Sequence, residues 1–221
     1  MNNKSQARRA SGRPGGNRER ILTATIELMN RYGSTVGTTR LAEHLKISPG
    51  NLYYHFRNRE EILAEVLTRL GADLQETLFI DPRQNTSAEQ LAGYFAGGAD
   101  VLWRYRFFFS ASLELVINDA RLSQRYREFS DNGIRAVSAI INNVVRVAPG
   151  ELKLKPADRQ TIAENMWVIW TSWPRFSEMR SGHEPVKADI DSGQEHLALL
   201  LQPYLKPAYF NKVLRVMRQS A

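Results

Sequence analysis

The sequence predicts an all-α chain in two parts: an N-terminal unit of three helices, two of them forming a helix-turn-helix, joined to a larger helical domain. Three observations predict it. Apolar residues recur at three- and four-residue intervals along most of the 221 residues, and no segment alternates as a strand does. The stretch from Thr38 to Phe56 reads as two short helices around a tight turn, with Leu41, Leu45, Ile47, Leu52 and Phe56 as its apolar contacts. The charge is lopsided. Residues 1–59 carry 11 basic and 3 acidic side chains, whereas the rest carry 19 and 20, within an overall net charge of +7.

Residues 1–17 hold too little apolar surface to fold alone and are expected to form a disordered basic arm. Helix 1 follows over Arg18–Tyr32, with Ile21, Ala24, Leu28 and Tyr32 in helical register and Gly33 as its stop. Ser48 is a good N-cap for helix 3, and Pro49 suits the first helical position, where a missing N–H costs nothing. Helix 4 opens at Asn58 with Glu61 three residues on, a capping-box spacing, and runs to about Phe79 before Asp81 and Pro82 end it. Further helices are expected near 87–104, 107–117, 121–147, 158–180, 188–205 and 208–219, separated by proline and glycine. Residues 18–64 therefore form the helix-turn-helix unit and 65–221 the second domain.

In helix 3, Leu52 and Phe56 lie four apart and turn inward, leaving Asn51, Tyr54 and His55 outside. Such a helix suits the major groove of double-stranded DNA, because Asn bonds an adenine edge and Tyr or His reaches phosphates and base edges. Basic charge gathered in the same unit is the electrostatic footprint of a phosphate-binding surface.

These residues carry a resemblance. Residues 18–64 resemble the DNA-binding domain of the TetR/AcrR family of bacterial transcriptional regulators, matching at Ala24, Leu28, Gly33, Thr38, Leu41, Ala42, Leu45, Ile47, Ser48, Gly50, Leu52, Tyr53, His55, Phe56 and the run Asn58, Arg59, Glu60, Glu61. The resemblance implies that Pro49, Gly50, Asn51, Tyr53, Tyr54 and His55 meet DNA, with Gly50 letting the backbone approach a phosphate. For Tyr53 and His55 the alternative is bracing helix 3 against helices 1 and 4. Thr38, Thr39 and Arg40 are placed for phosphate contact at the start of helix 2, and Arg59 and Arg57 for phosphate clamping, unless Arg57 is merely solvated. Two departures stand out. Lys46 replaces a turn glycine, which puts a side chain in left-handed backbone at about 1 kcal/mol. Gly37 replaces the first residue of a common threonine pair, so the helix-2 cap falls to Gly37 or Thr38. Arg8, Arg9 and Arg13 suit a narrow minor groove, with a solvated tail as the alternative.

Beyond residue 64 the resemblance extends to plan: a helical domain that binds a small molecule and dimerises. Trp167, Trp170 and Trp173 advance three residues at a time and, with Trp103, Phe107 and Phe108, supply the wall of an apolar effector cavity or a plain core. Arg104, Arg106 and Arg175 either answer an anionic ligand or face solvent. Ile190, Gly193, Leu197, Leu200 and Tyr204 form a coiled-coil-like seam, read as the interface of a homodimer or as burial within one subunit.

The four histidines, His44, His55, His183 and His196, make no metal-ligand spacing, and neither a phosphate loop nor a nucleophile elbow appears, so no cofactor, metal or catalytic set is expected. The chain has no cysteine and no apolar run approaching the ~20 residues of a membrane span, in keeping with a cytoplasmic protein. The expectation is a homodimeric regulator, a repressor released from its operator by a small apolar or aromatic ligand. The alternative is a DNA-binding protein of the same fold that acts through a protein partner.

Overall fold

The computed structural model describes residues 14–79, 81, 84–117 and 119–220. The chain runs α1 (Pro14–Tyr32), α2 (Thr38–Leu45), α3 (Pro49–His55), α4 (Arg59–Thr77), α5 (Ala88–Arg104), α6 (Arg106–Ser110), α7 (Ser112–Ile117), α8 (Ala120–Val147), α9 (Pro156–Ser181), α10 (Lys187–Leu199) and α11 (Pro207–Ser220). Helix α1 packs on α2, α3 and α4 to form the small unit, while α4 also packs on α5 and α8 in the larger one. Among the described residues the one β element is an isolated bridge between Pro149 and Leu205.

The expected all-α architecture is present, with shifts at its ends. Helix α1 starts at Pro14 rather than Arg18, since proline is preorganised for the first helical turn. Arg8, Arg9 and Arg13 lie outside the described residues. At α4 the Asn58 side chain accepts from the Glu61 amide at 2.8 Å, but the Glu61 carboxylate accepts from the Arg57 amide at 2.7 Å, one residue earlier than a capping box requires. The helix expected at 107–117 is broken into α6 and α7. Phe107, Phe108 and Phe109 are all buried, so α6 must be enclosed on every side, and it lodges against α1 and α9. The helix expected at 188–205 stops at Leu199 and ends in a 3₁₀ turn over Gln202–Tyr204, because Pro203 has no N–H to continue it. Pro174 sits buried inside α9, which continues past it to Ser181 although a proline has no N–H to give the helix ladder.

Two glycines set the spacing of the second domain. A Cβ on Gly133 of α8 would overlap the Trp167 ring, and one on Gly193 of α10 would lie 2.5 Å from the Trp173 ring. The helices approach closely because indoles rest on bare backbone.

The α4–α5 linker is pinned from α8. The buried Asn143 side chain accepts from the Thr86 amide at 2.9 Å and donates to the Gln84 carbonyl at 2.9 Å, while the Tyr209 hydroxyl donates to the Thr86 carbonyl at 2.9 Å. Asn143→Ala leaves a buried amide unpaired and should lower stability by about 1–3 kcal/mol. Arg146→Ala, which loses only an exposed bond to Asn85, should stay within about 0.5 kcal/mol of the parent. Urea titration followed by circular dichroism checks both, and equal effects would deny Asn143 its pinning role.

Candidate nucleic-acid interface and effector cavity

Helix α3 is short and could not persist without its anchors. Ser48 Oγ accepts from the Asn51 amide at 3.2 Å, Pro49 occupies the first position, and Leu52 and Phe56 are buried. Arg18 of α1 closes the other end. It donates to the His55 carbonyl at 2.8 Å, lies over the Phe56 ring at 4.2 Å and pairs with Glu65 at 3.3 Å. A cation there satisfies an orphan carbonyl and complements the helix dipole. The preceding turn is set by Lys46, whose backbone (φ 54°, ψ 41°) is left-handed as expected, and Gly37 takes the α2 N-cap position.

The residues expected at DNA sort by what they touch. Pro49, Gly50, Asn51 and Thr39 are exposed, and Tyr54 is 82% exposed. The side chains of Asn51 and Tyr54 make no hydrogen bond among the described residues, so their polar atoms face outward unspent. The Tyr53 hydroxyl lies 3.2 Å from Thr38 Oγ1, which ties α3 to the start of α2. His55 is half-buried with its ring edge on Tyr54 at 5.2 Å, and Arg40 stacks over Tyr32 at 3.7 Å. Arg59 departs from its expected place as a phosphate clamp. Its guanidinium donates to the carbonyls of Val36, at 3.1 Å, and Ser34, and so braces the α1–α2 turn. Arg57 remains exposed beside it.

In the second domain, α4, α5, α8, α9 and α10 line a cavity of about 60 Å³. Trp167 and Trp170 line it as expected, together with Leu74 and Leu78 of α4. Trp103, Phe107, Phe108 and Trp173 do not. Trp103 is half-buried under Arg106 at 3.9 Å, and Phe108 stacks on Tyr126 in the core, 6.1 Å between centroids. Phe107 is buried with it. Three residues per step fall short of a full turn, so Trp173 has rotated about 120° from Trp167 and faces α10 instead. There it donates to the Asp189 carbonyl at 2.7 Å and meets His196 at 4.7 Å. None of Arg104, Arg106 and Arg175 reaches the cavity wall. Gln194 does. Sequence reasoning misses it, although a lone amide between Ile190 and Leu197 is a signal.

The α10 seam is internal. Ile190, Gly193 and Leu197 are buried against the chain's own core, and Leu200 and Tyr204 pack at its margin, so these residues do not offer a dimer surface. Apolar side chains are exposed instead on α9, at Val168 (60%), Phe176 and Met179 (76%), and at Leu199 on α10.

Helix α4 joins the two sites. Its Asp73 accepts from the Arg104 guanidinium at 2.7 Å and from the Tyr105 hydroxyl at 2.8 Å, and its next residue, Leu74, lines the cavity. Burial first, and the Asp73 carboxylate second, push the Tyr105 hydroxyl far above the ordinary phenol range. Asn30 of α1 straddles the same corner, donating to the Arg104 carbonyl at 2.7 Å and accepting from the Phe107 amide at 3.1 Å. Lower on α4, Arg69 pairs with Glu19 of α1 at 2.5 Å. Among the described residues no group of acidic, histidine or cysteine side chains is disposed to hold a metal, and no helix is long and apolar enough to cross a membrane.

Comparison with known proteins agrees with this arrangement. The family model for bacterial regulatory proteins of the tetR family matches residues 21–66, and that for the bacterial transcriptional repressor TetR matches residues 69–213. A TetR-family transcriptional regulator from Marinobacter aquaeolei VT8 superposes with a TM-score of 0.80 at 30% identity, covering 91% of this chain and 97% of that one. SmeT, solved as a triclosan complex, gives a TM-score of 0.60 at 16% identity over 88% of this chain and 94% of its own. A gamma-butyrolactone receptor described as ArpA-like gives 0.61 at 17% identity over 93% and 98%. Comparison with curated protein sequences returns no significant match. With α3 packed on α1 and α2 and its outer face exposed, and with matching family models over both parts, the chain belongs to the TetR family of bacterial transcriptional regulators.

Proposed function

We propose that this regulator is a cytoplasmic homodimeric repressor that leaves its operator when a small apolar or aromatic molecule enters the cavity beside Trp167 and Trp170. The observation that carries the reading is the course of α4, which starts beneath the recognition unit and ends in the cavity wall. A cavity of about 60 Å³ is smaller than the roughly 150 Å³ that admits benzene in an engineered protein core. A ligand must therefore displace a wall. Leu74 and Leu78 belong to the α4 segment and its end, so displacement there bears on Asp73, Asn30 and α1, and changes the separation of the two recognition helices. Operators present successive major grooves about 34–36 Å apart, and a dimer out of that spacing binds weakly. The small molecules named for two structural neighbours, triclosan and gamma-butyrolactone, support an effector of this kind. The apolar lining of the cavity favours it over the alternative of a protein partner.

Within the DNA interface, Asn51 and Tyr54 read bases, Thr38, Thr39, Arg40, Pro49 and Gly50 contact the backbone, and Tyr53 and His55 hold α3 in place. Asn51→Ala and Tyr54→Ala should each weaken operator binding by about 1–3 kcal/mol and change binding to scrambled DNA far less. Isotherms on both DNAs test this, and equal losses would reduce the two residues to backbone contacts.

Subunits pair through the exposed α9 stripe of Val168, Phe176 and Met179, extended by Leu199. Val168→Glu or Met179→Glu should give a folded monomer by sedimentation, with operator affinity reduced roughly 10²–10⁴-fold. A charge at buried Leu197 should unfold the chain instead. A stable dimer in both α9 variants would move the interface elsewhere.

The coupling itself has a reciprocal test. A panel of small apolar aromatic compounds should include one that perturbs tryptophan fluorescence and weakens operator binding, and operator DNA must weaken that compound's binding by the same factor. A compound that binds tightly and leaves operator affinity unchanged breaks the coupling.

A further inference from the structure

Helix α3 has seven residues and is about 10 Å long, so its direction depends on how its ends are held. Among the described residues, side-chain hydrogen bonds hold it at three points. Ser48 caps its start, the Tyr53 hydroxyl lies against Thr38 of α2, and Arg18 of α1 takes the His55 carbonyl at its end. Of these, Arg18 is the one that ties the far end of α3 to both α1 and α4. One terminal nitrogen donates to His55 at 2.8 Å, the other meets the Glu65 carboxylate at 3.3 Å, and the guanidinium covers the Phe56 ring at 4.2 Å. A planar, forked cation can serve a carbonyl, a carboxylate and a ring at once, which a lysine ammonium cannot.

Tyr54 immediately precedes His55, and the two rings meet edge to face at 5.2 Å. A swing of about 10° around the Ser48 end carries the last residue of a helix this long about 2 Å sideways. N–H···O hydrogen bonds hold over a range of only about 0.5 Å. We infer that Arg18 sets the sequence specificity of this protein without touching DNA: by fixing the direction of α3 it decides which base edges Asn51 and Tyr54 reach. Arg18 is thus a positioning residue. Its charge is already matched by Glu65, so a phosphate gains less from it than from the exposed Arg57. This role rests on the assignment of base reading to Asn51 and Tyr54 above, and adds to it a residue that acts through the helix.

The test uses the duplex that the full parent chain selects from a random-sequence library, and a scrambled copy of it. Arg18→Lys keeps the charge and loses the fork, and Arg18→Gln loses both. Each should bind the selected duplex at least about tenfold more weakly than the parent, the size of one misread base pair, and the scrambled duplex within about twofold. The salt slope should keep the parent's value in both, because no phosphate contact is lost. Partial unfolding lowers binding to the two duplexes together, so their ratio separates direction from stability. Equal losses on the two duplexes overturn the inference. So does rescue by lysine with a slope reduced by about one in Arg18→Gln, which makes Arg18 a phosphate contact. If neither variant folds, Glu65→Ala, which frees the guanidinium from α4, must show the same loss of preference for the inference to stand. Asn51→Ala distinguishes the two readings. If it keeps the parent's preference, base reading by Asn51 fails and the role of Arg18 with it; if it loses preference while the Arg18 variants keep theirs, Arg18 alone is refuted.

Discussion

Asp73 sits where three elements meet, and its carboxylate takes the Tyr105 hydroxyl and the Arg104 guanidinium together. Tyr105 is fully buried, so its hydroxyl has no recourse to water, and a hydrogen bond to a charged group there contributes about 1.5–3 kcal/mol. That bond fixes the end of α5 against α4. The backbone released between α5 and α6 is then claimed by Asn30, which fixes α1 to the same corner. The angle between the DNA-facing unit and the second domain is therefore set by polar contacts of defined direction rather than by apolar packing alone. Apolar surfaces slide at small cost, whereas a carboxylate shared by two donors has one good position.

The parts of this fold legible in the sequence are those governed within a few residues. Ser48 with Pro49, Asn58 with Glu61 and the left-handed Lys46 act on their own turns, so the turn between α2 and α3 and the starts of α3 and α4 follow from local chemistry. The guanidinium contacts do not. Arg18 reaches His55 across 37 positions and Arg59 reaches Ser34 across 25, distances at which no spacing rule operates. A basic residue in a basic unit reads as a phosphate ligand until a backbone carbonyl is found within its reach.

Periodicity misleads at α10 and in part at α9 for a related reason. A three-four repeat states that one face of a helix is buried and is silent about what buries it. Ile190, Gly193 and Leu197 have the repeat of an interface and the surroundings of a core, with Trp173 seated on the glycine. The stripe of Val168, Phe176 and Met179 is hidden because α9 is apolar on several sides, which blurs any single face. The tryptophans show the same limit: the spacing places Trp167 and Trp170 together, and the rotation accumulated by Trp173 carries it to a different neighbour.

The diversion of Arg59 to Ser34 and Val36 alters the thermodynamics of the encounter with DNA. The turn between α1 and α2 is ordered in the free protein, so its conformational entropy has been lost on folding and is not charged again when a duplex docks. The guanidinium keeps its charge with two of its five N–H donors spent on those carbonyls. At physiological ionic strength a charge is felt over about 8 Å, so Arg59 adds to the attractive field around α3. A charge acting at that range bears on the rate of approach more than on the strength of a docked contact.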